Sequence, residues 1–365
     1  MDIFLLIVSV VLCVFYLMLI VGLTIGLHIP CPQNTSIASI KVSVIVPARN
    51  EAHNIIDCLK ALAAQTYPTH LTEIIVVDDR STDATAKLVR QFMVHMPHLK
   101  LASVSSQKHA CPKKNALQTG IEISSGDIVL TTDADCRPGP KWIAVMVGAF
   151  TPDTGMIIGF APLKTEGGFF QSLLSLQGLV VAALSAGSVG MGLPLTCTGR
   201  NLSYRRQAFN DAKGFETIGH ITGGDDVLLM RKVAQTRWKI QFNMAPEAAV
   251  VSNLHLDNQL NRQVRYQSKA IHYGIPTLIL ALAIYIFHFI LFLYPVLAWV
   301  YPALRLPIGV CLVFKIVADM GFLFLAARRL KSPFPILQAL LLDILLFPYI
   351  VVFCALGVFA PFKWK

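Results

Sequence analysis

Apolar residues are concentrated in long runs at both ends of the chain, with short runs alternating with polar segments between them. The first long run covers residues 3–27 and contains no charged residue. Three more close the chain, at about 275–300, 307–326 and 334–360. Because about 20 apolar residues in a helix span the hydrocarbon core of a bilayer, we predict one N-terminal transmembrane helix within 1–29 and three C-terminal ones within 275–361.

The region between these runs, residues 41–272, alternates between strand and helix patterns. A continuous β-branched run at 41–47 is typical of a buried parallel strand, and a second at 72–79 ends in two acids. Amphipathic helices are predicted at 54–65 and from 84 to about 95. This alternation predicts a doubly wound α/β sheet.

Acidic side chains gather where the predicted strands end, and ligands of such sheets bind beyond the carboxyl ends of the strands. Asp133 and Asp135 follow an apolar strand two positions apart, so an extended backbone points both carboxylates to one side. That pair suits a hard divalent cation that also binds water and phosphate, although Asp-x-Asp alone also occurs in solvated turns. Neither a Gly-x-Gly-x-x-Gly nor a P-loop pattern follows the first strand, so phosphate binding must depend on metal and cationic side chains.

The composition indicates a membrane protein with an anionic ligand. Hydrophobic residues make up 55% of the 365 and charged ones only 14%, and the mean hydropathy of +0.60 is too high for a soluble globule. The formal charge of +10 fits a membrane surface or an anionic substrate. No zinc-finger spacing or basic stripe with interleaved aromatic residues supports nucleic acid as a partner. The eight cysteines contain no Cys-x-x-Cys, so free thiols are expected.

Basic residues predict the orientation of the chain. Arg328, Arg329 and Lys331 lie between the last two predicted spans, and Lys41 and Arg49 follow the first. By the positive-inside rule both regions are cytoplasmic. We therefore expect an integral membrane protein whose central domain lies in the cytoplasm.

Three ionisable residues lie inside the last two predicted spans, where charge is costly and tends to face a protein interior. Lys315 and Asp319 are four residues apart, and an ion pair along one helix is the preferred interpretation. No partner is predicted for Asp343. A role in transport is the alternative.

Seven motifs resemble, in order, those of membrane-integrated family 2 glycosyltransferases, a group that includes cellulose and hyaluronan synthases and ceramide glucosyltransferase. They are Val-Ser-Val-Ile-Val-Pro-Ala-Arg-Asn-Glu (42–51), Val-Val-Asp-Asp-Arg-Ser-Thr-Asp (76–83), Lys-Lys-Asn-Ala-Leu (113–117), Thr-Asp-Ala-Asp-Cys (132–136), Thr-Gly-Arg-Asn (198–201), Gly-Asp-Asp (224–226) and Arg-Gln-Val-Arg-Tyr (262–266). The first and fourth are most similar to bacterial, Bacteroidetes-type members, which implies a bacterial inner membrane. The resemblance implies a GT-A fold, a doubly wound, nucleotide-sugar-binding α/β cytosolic domain, with one N-terminal and three C-terminal transmembrane helices.

The resemblance assigns the first half of the domain to a UDP-sugar donor and to Mg²⁺ or Mn²⁺. Asp79, with Pro47 and Glu51 nearby, is implied to bind the nucleoside, while Asp133 and Asp135 hold the metal across the diphosphate. The implied donor-binding residues are Pro47, Arg49, Glu51, Asp78, Asp79, Lys113, Asp133, Arg262 and Arg265. Judged by the residues alone, 78–83 could also start a capped helix, and 108–114 could be a solvated basic loop.

The second half of the domain is implied to hold the acceptor. Gly224-Asp225-Asp226 resembles the family's Glu-Asp motif with Asp225 in place of Glu. Asp226 is then the general base, which takes the proton of the attacking hydroxyl in inverting transfer. Two acids before a helix also suit its N-terminus without any catalytic role. The implied acceptor-side residues are Gly199, Arg200, Asn201 and Tyr266.

Two further stretches bear on the acceptor. Residues 262–274 are predicted to form an interfacial helix whose arginines meet the diphosphate or anionic head groups. Residues 167–194 are apolar and uncharged. A membrane crossing there would put Asp135 and Asp226 on opposite sides, so we expect helices that are buried in the domain or lie in the membrane interface.

The sequence therefore predicts a metal-dependent, inverting glycosyltransferase that moves a sugar from a UDP-sugar to a membrane lipid or lipid-linked glycan at the cytosolic face. A processive polysaccharide synthase that extrudes its product is the alternative. A nucleotide-sensing channel or transporter subunit is a remoter one.

Overall fold

The computed structural model describes residues 2–33, 40–104, 108–165, 167–253, 268–269 and 272–359. The strands are β1 (Val42–Ala48), β2 (Thr72–Asp78), β3 (Leu99–Ser103), β4 (Ile128–Thr131), β5 (Cys136–Pro138), β6 (Thr154–Gly159), β7 (Leu163–Lys164), β8 (Leu202–Arg205), β9 (Lys239–Asn243) and β10 (Val250–Asn253). The helices are α1 (Asp2–Gly26), α2 (Ile55–Ala63), α3 (Thr85–Met93), α4 (Pro112–Ile123), α5 (Trp142–Gly148), α6 (Phe169–Gly190), α7 (Arg206–Asp211), α8 (Val227–Val233), α9 (Ile275–Phe292), α10 (Tyr294–Val300), α11 (Arg305–Arg329) and α12 (Ile336–Phe359).

These elements form two compact units. One is an α/β domain that contains the ten strands above, helices α2–α5, α7 and α8, and the end of α6 from Leu184. The other contains the apolar helices α1 and α9–α12 and the beginning of α6 up to Ala183. The first part of α6 therefore interrupts the stretch 41–272 that the sequence suggested as one domain.

A seven-stranded mixed sheet forms the centre of the α/β domain, in the order β3-β2-β1-β4-β8-β6-β9. Strands β1 to β4 run parallel, with Ala48 opposite Asp78 and Ile45 opposite Thr131. Strand β8 runs antiparallel to both of its neighbours. A second sheet, β5-β10-β7, has three short strands. Because β1, β2 and β4 end at the same edge, the polar residues that follow them are brought together.

Both faces of the parallel strands are covered, which explains their continuous apolar sequences. On one face, buried side chains of β1, β2 and β4 pack with those of α2, α3 and α5. On the other face lies α4, whose Gly120 approaches Ile45 and Val77 so closely that an added Cβ would lie 2.6 Å from Ile45 Cγ2. The prediction of a doubly wound α/β domain is confirmed.

The predicted elements of the first half of the domain agree closely with the structure. The strands predicted at 41–47 and 72–79 are β1 and β2, and the helices predicted at 54–65 and 84–95 are α2 and α3, each shortened by a few residues. The N-cap residue of α3, Ala84, has no capping side chain, but Asp83 before it accepts a hydrogen bond from the Thr85 backbone N–H (2.9 Å).

Five helices of the described chain are long and apolar enough to cross a membrane: Ile3–Gly26, Phe169–Gly190, Ile275–Phe292, Pro302–Arg329 and Ile336–Phe353. Four correspond to the predicted spans, although the run 275–300 is divided between α9 and α10 near Pro295. The fifth is α6, the most buried of the set.

A buried ionic cluster joins three of the apolar helices. Lys315 of α11 is fully buried, and its Nζ lies 3.0 Å from Asp319 on the same helix and 2.5 Å from Asp343 on α12. Tyr16 of α1 donates its hydroxyl to Asp319 (2.8 Å). The predicted Lys315–Asp319 pair is present, and Asp343, for which the sequence offered no partner, pairs with Lys315.

Candidate active site

The end of β4 presents the two carboxylates that the sequence suggested as metal ligands. After β4 the chain turns back at once, with the Cys136 N–H donating to the Asp133 carbonyl (3.0 Å). The buried Ala134 anchors this turn between Asp133 and Asp135, which are both partly exposed. Cys136 Sγ lies 3.5 Å from Asp135 Oδ1. This turn holds both acids at the carboxyl edge of the sheet, so the expectation of an extended backbone through residues 133–135 is wrong.

Lys113 connects this pair of acids to the second acidic motif. From the first turn of α4 its Nζ lies 2.5 Å from Asp133 Oδ1 and 3.5 Å from Asp225 Oδ2. Burial by itself would lower the pKa of Lys113, but Asp133 and Asp225 raise that pKa well above its usual value. The side chain therefore remains an ammonium ion, and residues 113, 133 and 225 occupy one site.

The backbone places Asp225 and Asp226 at the N-terminus of α8. Gly223 and Gly224 precede them with φ angles of +84° and +69°, a conformation that glycine adopts without steric cost. Asp226 caps α8, since its Oδ1 accepts from the Val227 N–H (2.7 Å). Its Oδ2 accepts from the Gly199 N–H (3.1 Å). Two backbone donors thus fix the orientation of this carboxylate.

Gly199 lies close against the charged groups of the site. A Cβ at this position would lie 3.2 Å from Asp225 Oδ2 and 3.3 Å from Lys113 Nζ. A side chain at residue 199 would therefore crowd the Lys113 ammonium and the Asp225 carboxylate. The assignment of Gly199 to the acceptor side remains a prediction.

Of the two acids at the end of β2, Asp79 is held by neighbouring arginines. The carboxylate of Asp79 is buried and lies 2.8 Å from Arg80 Nη2 and 3.7 Å from Arg49 Nη1. Asp78 is also buried, and its Oδ1 has no hydrogen-bond partner among the described residues. Pro47, Arg49 and Glu51 lie at the same end of β1. This edge therefore carries both carboxylates and cations.

The loops that follow β1 and β2 are joined by hydrogen bonds. Asn50, with a φ of +54°, accepts from the Thr82 N–H (2.8 Å), and its own N–H donates to Ser81 (3.0 Å). Asp83 accepts from the Ala52 N–H (3.0 Å). These contacts give residues of both motifs a role in shaping the edge, in addition to any contact with a ligand.

The acceptor-side residues divide into two groups. Arg200 contacts Ser252 and lies near Thr198. Asn201, in contrast, is completely buried: its amide nitrogen donates to the carbonyls of Phe160 (2.8 Å) and Ala248 (2.7 Å), and its oxygen accepts from Trp142 Nε1 (2.9 Å). The expectation that Asn201 meets an acceptor is therefore wrong for its side chain, which is committed to the domain interior.

Three predicted residues of the Arg-Gln-Val-Arg-Tyr motif, Arg262, Arg265 and Tyr266, lie outside the described residues. The interfacial helix expected at 262–274 also falls largely there. Their assignment to diphosphate and acceptor remains a prediction.

Two residues of the site were missed in the sequence. Arg80 contacts Asp79, and its position directly after two acids at a strand end was the available signal. Lys114, next to Lys113, is completely buried and donates to the carbonyls of Ile218 (2.5 Å) and Ile221 (2.9 Å). Nothing in the sequence distinguished it from a solvated lysine of a basic loop.

The side chains at the end of β4 fit Mg²⁺ or Mn²⁺. Within the described residues, no cluster of three or more His, Cys, Asp or Glu side chains is arranged to hold a metal. Mg²⁺ does not need such a cluster, since it is commonly bound by one or two carboxylates together with waters and substrate phosphates. Asp133 and Asp135 supply the two carboxylates. The ammonium on Asp133 Oδ1 shows that this carboxylate already accepts a cation.

Residues 43–212 match the model of the family described as "Glycosyl transferase family 2". Glycosyltransferase AglE of Haloferax volcanii is 42% identical over 102 residues, which cover 28% of this chain and 33% of that protein. Dodecaprenyl-phosphate galacturonate synthase of Rhizobium johnstonii is 31% identical over 145 residues, which cover 39% of this chain and 42% of that protein. The chain thus matches less than half the length of these curated relatives.

A solved structure is similar over nearly the whole chain. The mannosyltransferase PcManGT from Pyrobaculum calidifontis, in complex with GDP-Man and Mn²⁺, has a TM-score of 0.60 and 20% sequence identity, and the match covers 97% of this chain and 99% of that one. At this identity the likeness establishes the fold. Residues 43–212 thus form a domain that matches glycosyltransferase family 2, and the likeness and the sheet order show the GT-A fold.

Proposed function

We propose that this protein is a membrane-bound, inverting glycosyltransferase that transfers a sugar from a UDP-sugar to a lipid or lipid-linked glycan at the cytosolic face of the membrane. One observation carries most of the proposal: the Lys113 ammonium contacts both Asp133, of the metal-binding pair, and Asp225, the neighbour of the proposed base. A donor diphosphate and an acceptor hydroxyl can therefore meet within one site.

In the proposed reaction Asp226 acts on the acceptor. Its carboxylate, held by the N–H groups of Gly199 and Val227, takes the proton of the acceptor hydroxyl while that oxygen attacks the anomeric carbon. The bond from the anomeric carbon to the diphosphate breaks in the same displacement, and the nucleoside diphosphate leaves. A positioned base of this kind contributes about 10²–10⁴-fold to the rate.

Other residues bind the donor. Asp79, flanked by Arg49 and Arg80, is proposed to contact the nucleoside, and Lys113 to contribute positive charge beside the diphosphate. When bound, Mg²⁺ or Mn²⁺ would neutralise charge on the departing diphosphate. Asp133 and Asp135 would hold it. A metal-binding role is supported by the chemistry of this pair at the strand end.

The membrane and lipid parts of the proposal are supported by the apolar helices and by a relative. Four of the five candidate helices lie in one unit together with part of the fifth, and the Rhizobium relative is named for a product built on dodecaprenyl phosphate. Single transfer is preferred to processive synthesis because few helices are available to form a channel. Products of one defined size would support single transfer, whereas a ladder of sizes would contradict it.

The test is transfer by the purified full chain with native lipid extract and a panel of UDP-sugars, with GDP-sugars included, followed by mass spectrometry of the lipids. Asp226→Asn should reduce transfer at least about 10²-fold while UDP-sugar binding by calorimetry stays within twofold. Asp153→Asn, an exposed acid paired with Lys239, is the matched control and should behave as the natural chain. Full activity in Asp226→Asn would refute the assigned base, and no glycolipid with any donor would refute the function.

A further inference from the structure

Lys114 is buried beside the active site without belonging to the groups that face a substrate. Its side chain has no exposed surface. From the first turn of α4 its ammonium donates to the backbone carbonyls of Ile218 and Ile221 at 2.5 and 2.9 Å. Hydrogen bonds from an ionised donor are shorter and stronger than neutral ones, so these two carbonyls are firmly held.

The two carbonyls mark the segment that leads to the catalytic acids. Ile218 ends a single 3₁₀ turn that begins at Glu216. Only Thr222, Gly223 and Gly224 separate Ile221 from Asp225, and both glycines have positive φ. A glycine pair has little stiffness of its own, so the direction in which Asp225 and Asp226 leave this turn depends on what anchors the residues before it.

Further contacts join the same two segments. The Ala110 N–H donates to the Gly219 carbonyl (2.8 Å). Burial raises the pKa of the Cys111 thiol. Hydrogen bonds from the backbone of Lys114 and Gly223 to this thiol lower its pKa, but by less. Gly219 packs so closely on His109 that a Cβ there would lie 2.3 Å from Nδ1. Residues 109–114 and 218–225 are thus held together along their whole length, ending at the Lys113–Asp225 contact.

We infer that Lys114 is a positioning residue, whose buried ammonium fixes the turn at Ile218–Ile221 and thereby sets the position of Asp225 and Asp226. Adjacent lysines then act on the two ends of one segment, Lys114 through the backbone and Lys113 through a side chain. The inference rests on the proposed function, which assigns the catalytic role to Asp225 and Asp226. Lys114 itself need not touch any substrate.

Lys114→Met tests this inference, since methionine keeps most of the length of the side chain and removes the three N–H donors. A base displaced by about 1 Å can cost 10²-fold in rate, so kcat should fall about 10–100-fold. UDP-sugar affinity should stay within twofold, because the donor-side contacts of β1 and β2 are untouched. Hydrogen exchange should rise in peptides covering 214–226 and stay unchanged in β1 and β2. Lys108→Met, an exposed lysine of the same segment paired with Glu122, should change none of these values.

Gly219→Ala provides a second test that keeps the lysine in place. Its methyl group would press on His109 from the opposite side of the contact, so the same fall in kcat with unchanged donor affinity is expected. Gly219→Ala then tests the inference alone if Lys114→Met does not fold. Unchanged kcat or unchanged exchange at 214–226 would overturn the inference, as would a loss of donor affinity equal to the loss of kcat, or unfolding of both variants. Absence of transfer by the natural chain would instead refute the proposed function, and the exchange measurement would still judge the role of Lys114.

Discussion

The Asp133 carboxylate contacts the Lys113 ammonium, and it is also proposed to bind a divalent cation. Burial raises the pKa of Asp133, while Lys113 acts in the opposite direction. The carboxylate has two oxygens with about four acceptor positions, so both cations can be bound at once. Asp135, which lies farther along the turn, would share the proposed metal.

Removing Asp135 should therefore weaken metal binding directly. For Asp135→Asn we expect the dissociation constant of Mn²⁺, measured by electron paramagnetic resonance in the presence of UDP, to rise at least about 10-fold. EDTA should abolish transfer by the natural chain, and added Mn²⁺ or Mg²⁺ should restore it. The exposed Asp153→Asn serves as the control. Transfer that persists in EDTA would contradict the role of Asp133 and Asp135.

The sequence could identify residue types at the site better than their contacts. Asp133, Asp225 and Lys113 were all predicted, but only the structure shows that a single ammonium contacts both acids. Asn201 was misassigned because a motif does not show which way a side chain faces. Its amide satisfies two buried carbonyls, and a buried polar group without such partners would be costly.

At the scale of the secondary structure elements, Glu73 links the beginnings of the parallel strands, at the edge of the sheet opposite the site. Glu73 of β2 accepts from Ser43 of β1 (2.7 Å), from Lys100 of β3 (2.6 Å) and from the Ser125 N–H ahead of β4 (2.5 Å). Burial by itself would raise the pKa of Glu73, but these hydrogen bonds lower it from 4.5 to about 2. One carboxylate thus joins four neighbouring parts of the sheet.

This lowered pKa makes the stability of the domain depend on pH. The unfolded chain binds the proton near the ordinary pKa of glutamate and the folded chain only near 2. The stabilisation is therefore complete above about pH 4.5 and is lost as the pH falls toward 2. Glu73→Gln should cost about 1–3 kcal/mol at pH 7, and its difference from the natural chain should narrow between pH 4.5 and 2. Urea unfolding at a series of pH values measures this.

Glu122→Gln is the control for that series, because Glu122 also pairs with a lysine but has a side chain that is 46% exposed. Exposed ion pairs contribute little, so its unfolding free energy should stay near that of the natural chain at every pH. A pH-independent difference between Glu73→Gln and the natural chain would show that the carboxylate is not responsible.

Parallel strands were predictable for a physical reason that does not extend to β8. Strands β1, β2 and β4 are buried on both faces and therefore read as continuous β-branched runs. Strand β8 is a four-residue stretch, Leu-Ser-Tyr-Arg, that lies antiparallel between β4 and β6. A short stretch of mixed polarity carries no pattern of its own, and pairing with its neighbours creates the strand.

At the scale of the whole molecule, α6 is long and apolar enough to cross a membrane. It is the one such helix of the described chain between Asp133 and Asp225. Both acids contact Lys113, so they share a compartment, and a single crossing by α6 would separate them. We therefore expect that α6 does not cross the membrane, as the sequence predicted, and that the other four helices are the candidate spans.

Those four helices contain a fully buried charge whose role can be separated from that of the active site. Lys315 contacts Asp319 and Asp343 and connects α11 with α12, while Tyr16 connects α1 through Asp319. Removing one partner of a buried ion pair leaves a charge without compensation and costs about 3–5 kcal/mol, whereas replacing both with apolar residues is much milder. If the cluster has a structural role, a single replacement should therefore destabilise the protein more than the double replacement.

Lys315→Met should lower the melting temperature of the purified protein in detergent by more than the double variant Lys315→Met/Asp343→Leu. Transfer measured well below the melting temperature should remain close to that of the natural chain in both. Lys331→Met, an exposed lysine just beyond α11, is the control and should melt as the natural chain does. If instead Lys315→Met abolished transfer without lowering the melting temperature, the cluster would have a functional role, and the transporter interpretation of these residues would regain its support. The combination of melting and transfer data is decisive because a purely structural network must show itself first in stability.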